Sequence, residues 1–276
     1  MSIKLSIVLP SYRDPLLFKT IRDILDNSEL GDQLEVIGVW DGYFPSSDLI
    51  IEDPRVRYLH LGANRGMRGA INAGVAMATG EFIGRMDEHC MVAKGMDKEL
   101  TDTCKKNEVM TPRRYFLNPI EWKIMEDKGY RDYEKLVIQN MGGGIRKFSG
   151  KEWKERTEKR KNVQIDETEA MQGSFWIANR EFFLKTVGEL QTENFGQLIQ
   201  DSVEVCMQYW KAGGRLMLNK KTFFAHKHRS FSRTHNNGTP ENPAQYNKGY
   251  KFALDQWEGY YLNELRPKWD LKYTNE

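Results

Sequence analysis

Short apolar runs alternate with segments of helical periodicity along the first third of the chain. Residues 3–9, 34–40 and 55–61 carry the apolar, β-branched side chains that are typical of buried strands. Between the first two runs, residues 16–25 place apolar side chains at helical spacing, and Gly31 follows the predicted helix. Strands that alternate with helices in this way predict an α/β fold built on a doubly wound, mostly parallel sheet.

A helix of small residues and a further strand continue this pattern. Residues 66–78 contain glycine and alanine where a helix would pack closely on a sheet, and Thr79-Gly80 ends that helix. Residues 81–86 are predicted to form a short strand, and Asp87-Glu88-His89 follows it directly. Open α/β sheets bind ligands beyond the carboxyl ends of their strands, so this tripeptide is expected at a binding crevice.

The carboxylate of Asp87 and the imidazole of His89 are candidate metal ligands. Oxygen and nitrogen together suit Mn²⁺ or another borderline divalent ion better than oxygen ligands alone. A solvated turn is the alternative, because acidic residues are common at strand ends. Upstream, Arg65 and Arg68 lie three residues apart, which predicts one helix face that holds phosphate oxygens. Two solvated arginines are the alternative there.

The order of these motifs resembles a known group of enzymes. Residues 64–74 follow the pattern Asn-x-Gly-x-x-x-Ala-x-Asn-x-Gly before an acidic strand end, as in family-2 glycosyltransferases of the GT-A fold. Asp87-Glu88-His89-Cys90 resembles the Asp-x-His-Cys form of the polypeptide N-acetylgalactosaminyltransferases, a neighbouring family. Residues 171–183 and 200–214 resemble the acceptor-side segments of these enzymes.

The resemblance implies a GT-A fold, in which a Rossmann-like, mostly parallel central sheet is flanked by helices, with an acceptor-side half and a C-terminal helix. It implies a divalent ion, Mn²⁺ or Mg²⁺, held by Asp87, His89 and His226, with His228 as the alternative third ligand. It also implies a UDP-sugar as the donor substrate.

Specific donor contacts follow from the same resemblance. Ser11 and Tyr12, after the first strand, would flank the base, and Asp41 would contact uracil or ribose. Arg68 would contact the diphosphate, and Asp87 would serve both the donor and the metal ion. The chain departs from the family at one point, because the family's Asp-Asp pair is Trp40-Asp41 here.

The acceptor side is expected at a second set of residues. Asp201 matches the position of the general base in family-2 enzymes, which invert the configuration of the sugar. The N-acetylgalactosaminyltransferases retain configuration and need no such base, so the two resemblances differ, and inversion is our working hypothesis. An exposed helix face is the alternative for Asp201 and Glu204. The other expected acceptor-side residues are Gly173, Ser174, Trp176 and Glu204.

Length and composition indicate one globular domain with two merged halves. The chain has 276 residues, of which 39% are hydrophobic, enough for a sizeable core. We expect a nucleotide-sugar-binding half at 1–110, an acceptor-side half at 111–235 and a C-terminal extension at 236–276. A basic insertion near 140–165 is predicted to be helical or mobile, and residues 245–265 are predicted to form a closing helix that ends before Pro267.

Basic residues are concentrated in two segments, although the net charge is only +2. Residues 145–161 hold eight Lys or Arg and three Glu, and residues 205–240 contain no Asp or Glu. Such segments are typical of surfaces that face a polyanion. They favour nucleic acid as an acceptor, for example hydroxymethylated bases in DNA; a solvated basic face is the alternative.

The sequence contains no run of the roughly 18–20 apolar residues that span a bilayer. Its three scattered cysteines form no disulfide framework, and with the absence of a leader they predict a cytoplasmic protein, bacterial or viral. Two other functions stay open at this point: a nucleotidyltransferase that acts on sugar phosphates, and an inactive module that binds sugar or nucleic acid.

Overall fold

A computed structural model describes residues 2–195, 200–228 and 243–275. In these ranges one sheet of eleven strands forms the centre of the fold, and a separate two-stranded hairpin lies beside it. The strands are β1 (Leu5–Ser11), β2 (Leu34–Asp41), β3 (Val56–Leu61), β4 (Phe82–Met86), β5 (Cys90–Val92), β6 (Glu108–Asn118), β7 (Lys123–Ile124), β8 (Tyr130–Arg131), β9 (Glu134–Gly142), β10 (Ile145–Glu152), β11 (Ile165–Glu167), β12 (Phe175–Asn179) and β13 (Arg215–His226).

Helices cover both faces of this sheet. Leu5, Ile7 and Leu9 of β1 belong to one apolar cluster, whereas Val8 belongs to the other, because successive side chains of a strand point to opposite faces. The helices are α1 (Leu17–Asn27), α2 (Gly66–Met77), α3 (Met96–Thr103), α4 (Lys154–Lys159), α5 (Arg180–Thr186), α6 (Asp201–Lys211), α7 (Pro243–Tyr260) and α8 (Arg266–Asn275).

The first half of the chain follows the sequence prediction. The strands run in the order β4-β1-β2-β3 and are all parallel, which confirms the mostly parallel α/β sheet. The small residues of α2 let that helix lie directly on the sheet. A Cβ atom at Gly74 would approach Val8 Cγ1 to 2.3 Å, so a larger residue would push α2 away from β1.

The second half of the chain extends the same sheet with a change of direction. β12 runs antiparallel to both β4 and β6, and β13 runs parallel to β6. The last three residues of β13 also pair with β5 in an antiparallel ladder that sets His226 opposite Cys90. This ladder brings the end of β13 beside the segment that follows β4.

The basic insertion differs from its prediction. Instead of a helical or mobile segment, β9 and β10 form an antiparallel hairpin, and only Lys154–Lys159 is helical. Gly142, Gly143 and Gly144 make the turn, and each has a positive φ between 57° and 87°. Only glycine adopts this conformation readily, so three consecutive glycines allow a tight reversal of the chain.

The C-terminal helix is longer than predicted. α7 continues through a π-helical segment, Tyr261–Leu265, into α8, so Pro267 does not end the helix. Pro267 lies in the first turn of α8, where a missing backbone N–H costs little. Within residues 200–214, which resemble an acceptor-side segment, Asp201–Lys211 form α6. In the ranges that the structure describes, every helix is too short or too polar to cross a bilayer.

Candidate metal centre and substrate site

Three side chains from separate strand ends meet at the carboxyl edge of the sheet. Asp87 follows β4, His89 precedes β5, and His226 is the last residue of β13. The β5–β13 ladder and a hydrogen bond from Lys227 N to His89 O (3.1 Å) hold the two histidine segments together. Residues 137 positions apart in the sequence thereby become neighbours.

The distances between these side chains fit a shared metal ion. His89 Nε2 lies 3.1 Å from His226 Nε2, and His226 Nε2 lies 3.0 Å from Asp87 Oδ2. All three donor atoms lie within 4.8 Å of one another. Adjacent ligands on an octahedral ion with bonds of about 2.1 Å are about 3.0 Å apart, which matches these spacings. His228 lies outside this cluster, exposed beside the ring of Phe116.

Asp14 fixes the orientation of His89. Its Oδ2 lies 3.1 Å from His89 Nδ1, and its Oδ1 accepts a hydrogen bond from Leu16 N at 2.8 Å. A carboxylate behind a histidine ligand sets its tautomer and leaves the other ring nitrogen free for a metal. The sequence analysis missed Asp14; its one signal was its position just after β1, the strand beside β4.

Arg85 keeps Asp87 in its charged form. Burial acts to raise the pKa of Asp87, but the Arg85 guanidinium 2.7 Å away and His226 together lower that pKa well below its usual range. For His226, burial lowers the pKa and outweighs the opposing effect of Asp87. The site therefore presents an ionised carboxylate and a neutral imidazole, the forms that bind metal ions.

Gly173, Ser174 and Asp201 lie next to this cluster. The Gly173 carbonyl accepts a hydrogen bond from Arg85, and the Ser174 carbonyl accepts one from Asp87 N at 2.9 Å. A Cβ atom at Gly173 would lie 4.0 Å from Asp201 Oδ2, at the start of α6. Trp176, in contrast, is buried in the core and stacks on Phe183, so the structure does not support its predicted role on the acceptor side.

Arg68 and Glu204 form a buried ion pair away from solvent. Both are at most 1% exposed; Arg68 also donates to the Gln191 carbonyl at 3.0 Å and lies over the ring of Phe195. The Arg68 guanidinium is covered and paired, so it does not face the site as the predicted phosphate contact requires. The Glu204 carboxylate is covered and paired as well, so it does not face the site as an acceptor-side residue. Arg65, predicted on the same face, is exposed instead.

The predicted nucleotide contacts lie together at the ends of β1 and β2. Ser11 Oγ and Tyr43 Oη are 2.9 Å apart, and the rings of Tyr12 and Tyr43 meet edge to face. Asp41 Oδ1 accepts a hydrogen bond from Arg65 N at 2.6 Å, and burial raises the pKa of Asp41 to about 6. Tyr43 was missed, because in the sequence it belongs to an irregular segment after β2.

Several buried polar atoms at this edge of the sheet have no hydrogen-bond partner among the described residues. Buried polar groups are normally paired, and because unpaired ones also occur elsewhere in the described ranges, those at this edge support a ligand site only together with the geometry of Asp87, His89 and His226. The atoms concerned are His226 Nδ1, Ser174 Oγ, Gln172 Oε1, Arg85 Nε and Arg114 Nε.

Comparison with known proteins identifies the class of protein. Residues 6–187 match the sequence model of Glycosyl transferase family 2, so the chain belongs to that family. The uncharacterized glycosyltransferase EpsJ of Bacillus subtilis (strain 168) is 33% identical over 109 residues, which are 38% of this chain and 31% of that protein.

A solved structure extends the likeness across nearly the whole chain. The crystal structure of GalNAc-T7 with UDP, GalNAc and Mn²⁺ matches with a TM-score of 0.71 over 95% of this chain and 50% of that one. The sequence identity is 16%, so this likeness concerns the fold, and it confirms the expected GT-A architecture. The chain spans about a third of the curated relative and half of the structural neighbour.

Proposed function

We propose that this chain is a metal-dependent glycosyltransferase that moves a sugar from a UDP-sugar to a hydroxyl acceptor. The observation that carries the proposal is the meeting of Asp87, His89 and His226 at the carboxyl edge of the sheet, with donor atoms 3.0 and 3.1 Å apart. In our proposal residues 1–110 bind the donor and residues 111–235 bind the acceptor.

The proposed ion is Mn²⁺, with Mg²⁺ as the second choice. A divalent ion bound there supplies positive charge that orients the donor and stabilises the leaving diphosphate. The protein's own contribution is to hold the ligands ready: Asp14 orients His89, and Arg85 keeps Asp87 ionised. That preorganisation removes the cost of reorganising these groups during the reaction.

The donor's nucleoside is assigned to the crevice at the ends of β1 and β2. Ser11, Tyr12 and Tyr43 would flank the base, and Asp41 would accept hydrogen bonds from uracil or ribose. Because the pKa of Asp41 is about 6, this carboxylate is mostly ionised at neutral pH and able to accept them. These contacts are the basis for proposing UDP as the carrier.

The acceptor hydroxyl is assigned to the space beside Gly173, Ser174 and Asp201. Asp201 would take the hydroxyl proton as the general base, which makes the reaction inverting. The Ser174 hydroxyl is buried and has no partner among the described residues.

We propose a polyanionic acceptor, specifically hydroxymethylated bases in DNA. The β9–β10 hairpin supports this proposal, because it carries Lys147 and Lys151 within residues 111–235, the part assigned to the acceptor. The three cysteines are buried and unpaired, which fits the expected cytoplasmic, reducing setting. Binding to DNA should weaken steeply with salt, because each neutralised phosphate releases counterions; affinity independent of salt would exclude a DNA acceptor.

The proposed function is tested by the products and by metal removal. Incubation with UDP-sugars should release UDP in a reaction that needs Mn²⁺; a nucleotidyltransferase would release pyrophosphate instead. Asp87→Ala should lower turnover at least about 10²-fold, because the leaving group loses its counter-charge. The control is Asp102→Ala, which removes an exposed partner of Lys98 and should keep full activity. Full activity in excess EDTA would contradict the proposal.

A further inference from the structure

Two consecutive arginines of β6 have opposite surroundings. Arg113 makes two hydrogen bonds of 2.7 Å with Asp132 and lies over the ring of Tyr130. Arg114 is only 9% exposed, yet its side chain makes no hydrogen bond or ion pair with any residue in the described ranges, and its Nε is covered. A mostly buried guanidinium without an ion-pair partner is costly, so its presence calls for an explanation.

Arg114 lies on the strand next to the one that carries His226. In the parallel ladder it is paired with Phe224, two residues before His226, and Phe116, two residues after Arg114, is paired with His226 itself. The Arg114 guanidinium lies 6.0 Å from the centre of the Phe116 ring, which also contacts the ring of His228. Arg114 is therefore placed beside the strand end that supplies a proposed metal ligand.

The charges around Arg114 are mainly positive on the side of Phe116. Arg114, Arg131 and Lys128 lie 6.0, 5.9 and 5.9 Å from the centre of the Phe116 ring, and the ring of His228 lies 5.0 Å from it. Two carboxylates oppose them: Glu152 lies 3.7 Å from Arg131, and Glu134 acts on Arg114 without an ion pair among the described contacts.

Burial acts to lower the pKa of both arginines. It prevails for Arg114, whereas for Arg113 the hydrogen bonds and charge of Asp132, together with Tyr115, outweigh it and raise the pKa. An arginine stays protonated in either case, because its ordinary pKa is above 12. Arg114 thus holds a positive charge that no ion pair in the described ranges neutralises, although Glu134 acts on it from a distance, whereas Arg113 is ion-paired with Asp132.

We propose that Arg114 forms an anion subsite beside the metal cluster and binds the terminal phosphoryl group of the donor's diphosphate. This inference rests on the proposed UDP-sugar donor. Its burial favours a small ligand group over a polymer backbone, and its position beside His226 favours the group that the metal ion also holds. Arg114 would donate charge-assisted hydrogen bonds to phosphoryl oxygens, the task that the sequence analysis gave to Arg68.

The subsite predicts a difference between UDP and UMP. Calorimetric titration with Mn²⁺ present should show that Arg114→Gln weakens UDP binding about 10- to 100-fold, the usual worth of a hydrogen bond to a charged group. UMP lacks the terminal phosphoryl group, so its affinity should change much less. Arg114→Lys should recover part of the loss, and Arg113→Gln, next in the chain but paired with Asp132, should bind UDP like the wild type.

Thermal unfolding of each variant checks that the fold is kept. Inorganic pyrophosphate serves as a second ligand that tests the anion subsite without the nucleoside. Equal UDP affinities for the wild type and Arg114→Gln would overturn the inference. A wild-type protein that ignores UDP but binds pyrophosphate through Arg114 would overturn the proposed donor while keeping the subsite. Loss of binding to a single-stranded DNA oligonucleotide, with UDP binding unchanged, would overturn the assignment to the donor.

Discussion

Two clusters of buried charge in this protein differ in how completely their polar atoms are satisfied. The first, between α2 and α6, pairs Arg68 with Glu204, and the backbone of Gln191 bonds to both side chains. The second, at the carboxyl edge of the sheet, combines Asp87, His89 and His226 and includes a ring nitrogen without a partner in the described ranges.

Buried charge has two different roles in these clusters. In the closed cluster, Arg68 and Glu204 pair with each other and hold α2 and α6 together, so the cluster stabilises the fold. An open cluster has donor and acceptor atoms that the protein leaves unmatched, and it depends on a ligand to complete it. The predictions below test whether the closed cluster controls stability and the open one controls binding and turnover.

The largest expected effect is on turnover, at Asp201 beside the open cluster. Asp201→Asn keeps the shape but removes the proton acceptor, so transfer should fall by about 10²–10⁴-fold. UDP affinity and the free energy of unfolding should barely change, as measured by calorimetry and urea titration. Transfer by this variant at the wild-type rate would remove the assignment of Asp201 as the base.

The next largest effect is on stability, in the closed cluster. Glu204→Ala leaves the Arg68 guanidinium buried without its partner, which should cost about 3–5 kcal/mol of unfolding free energy. Replacing both partners, as Arg68→Met with Glu204→Leu, should recover much of that loss, because no charge then stays buried alone. Urea unfolding measures both variants, and a Glu204→Ala protein of wild-type stability would contradict the closed-cluster account.

Glu169, a buried carboxylate outside the proposed site, tests whether one unpaired polar atom is enough to indicate a functional residue. Glu169 has one covered oxygen without a partner in the described ranges, and burial raises its pKa from 4.5 to about 7, against the opposing effect of Arg266. The Glu169 carboxyl therefore binds its proton more tightly in the folded protein than in the unfolded one. The stabilisation of the fold by this protonated carboxyl is complete below pH 4.5 and is lost as the pH rises through about 7.

Glu169→Gln should therefore raise the free energy of unfolding at pH 8, by up to about 3 kcal/mol at about 1.4 kcal/mol per tenfold change in proton affinity. At pH 4 the variant and the wild type should agree. The matched control is Glu158→Gln, at an exposed carboxylate, which should change stability little at either pH. A Glu169 variant that also lost turnover would give this residue a role in the site.

The smallest of these effects is on metal affinity, and it is expected at Asp14, which contacts the proposed ligand His89. Asp14→Asn should weaken Mn²⁺ binding about 10–100-fold, because His89 loses the carboxylate that fixes its tautomer. Electron paramagnetic resonance of free Mn²⁺ in a titration measures this affinity directly. An unchanged affinity would show that the β5–β13 ladder alone orients His89.

The parts that could be predicted from the sequence are those in which local pattern determines structure. β1, β2, β3 and β4 each carry their own apolar run, and α2 carries the small residues that its packing on Val8 requires. The hairpin was mispredicted because Ile145–Glu152 is mostly polar and basic, so its pattern gave no strand signal. The helix end predicted before Pro267 was wrong, because the residue pattern gives no sign of the π-helical segment that joins α7 to α8.

The candidate site divides in the same way. Asp87 and His89 were predicted because they follow a strand end, and His226 because the order of motifs resembles a family; the structure brings the three side chains together. Arg68 is paired inside the fold instead of facing the site, because its partner Glu204 is 136 residues away and its burial depends on how α6 packs. Asp14 and Arg114 were not predicted for a related reason: only the folded sheet brings their neighbours near.

The central claim is that Asp87, His89 and His226 form a metal site, and Mn²⁺ binding in the presence of UDP tests it most directly. Calorimetry on the wild type should show one site, and His226→Ala should weaken it at least about 10-fold, as expected when a contact of a metal site is lost. His228→Ala, at the neighbouring exposed histidine, should bind Mn²⁺ like the wild type. Equal Mn²⁺ affinities for the wild type and His226→Ala would contradict the claim.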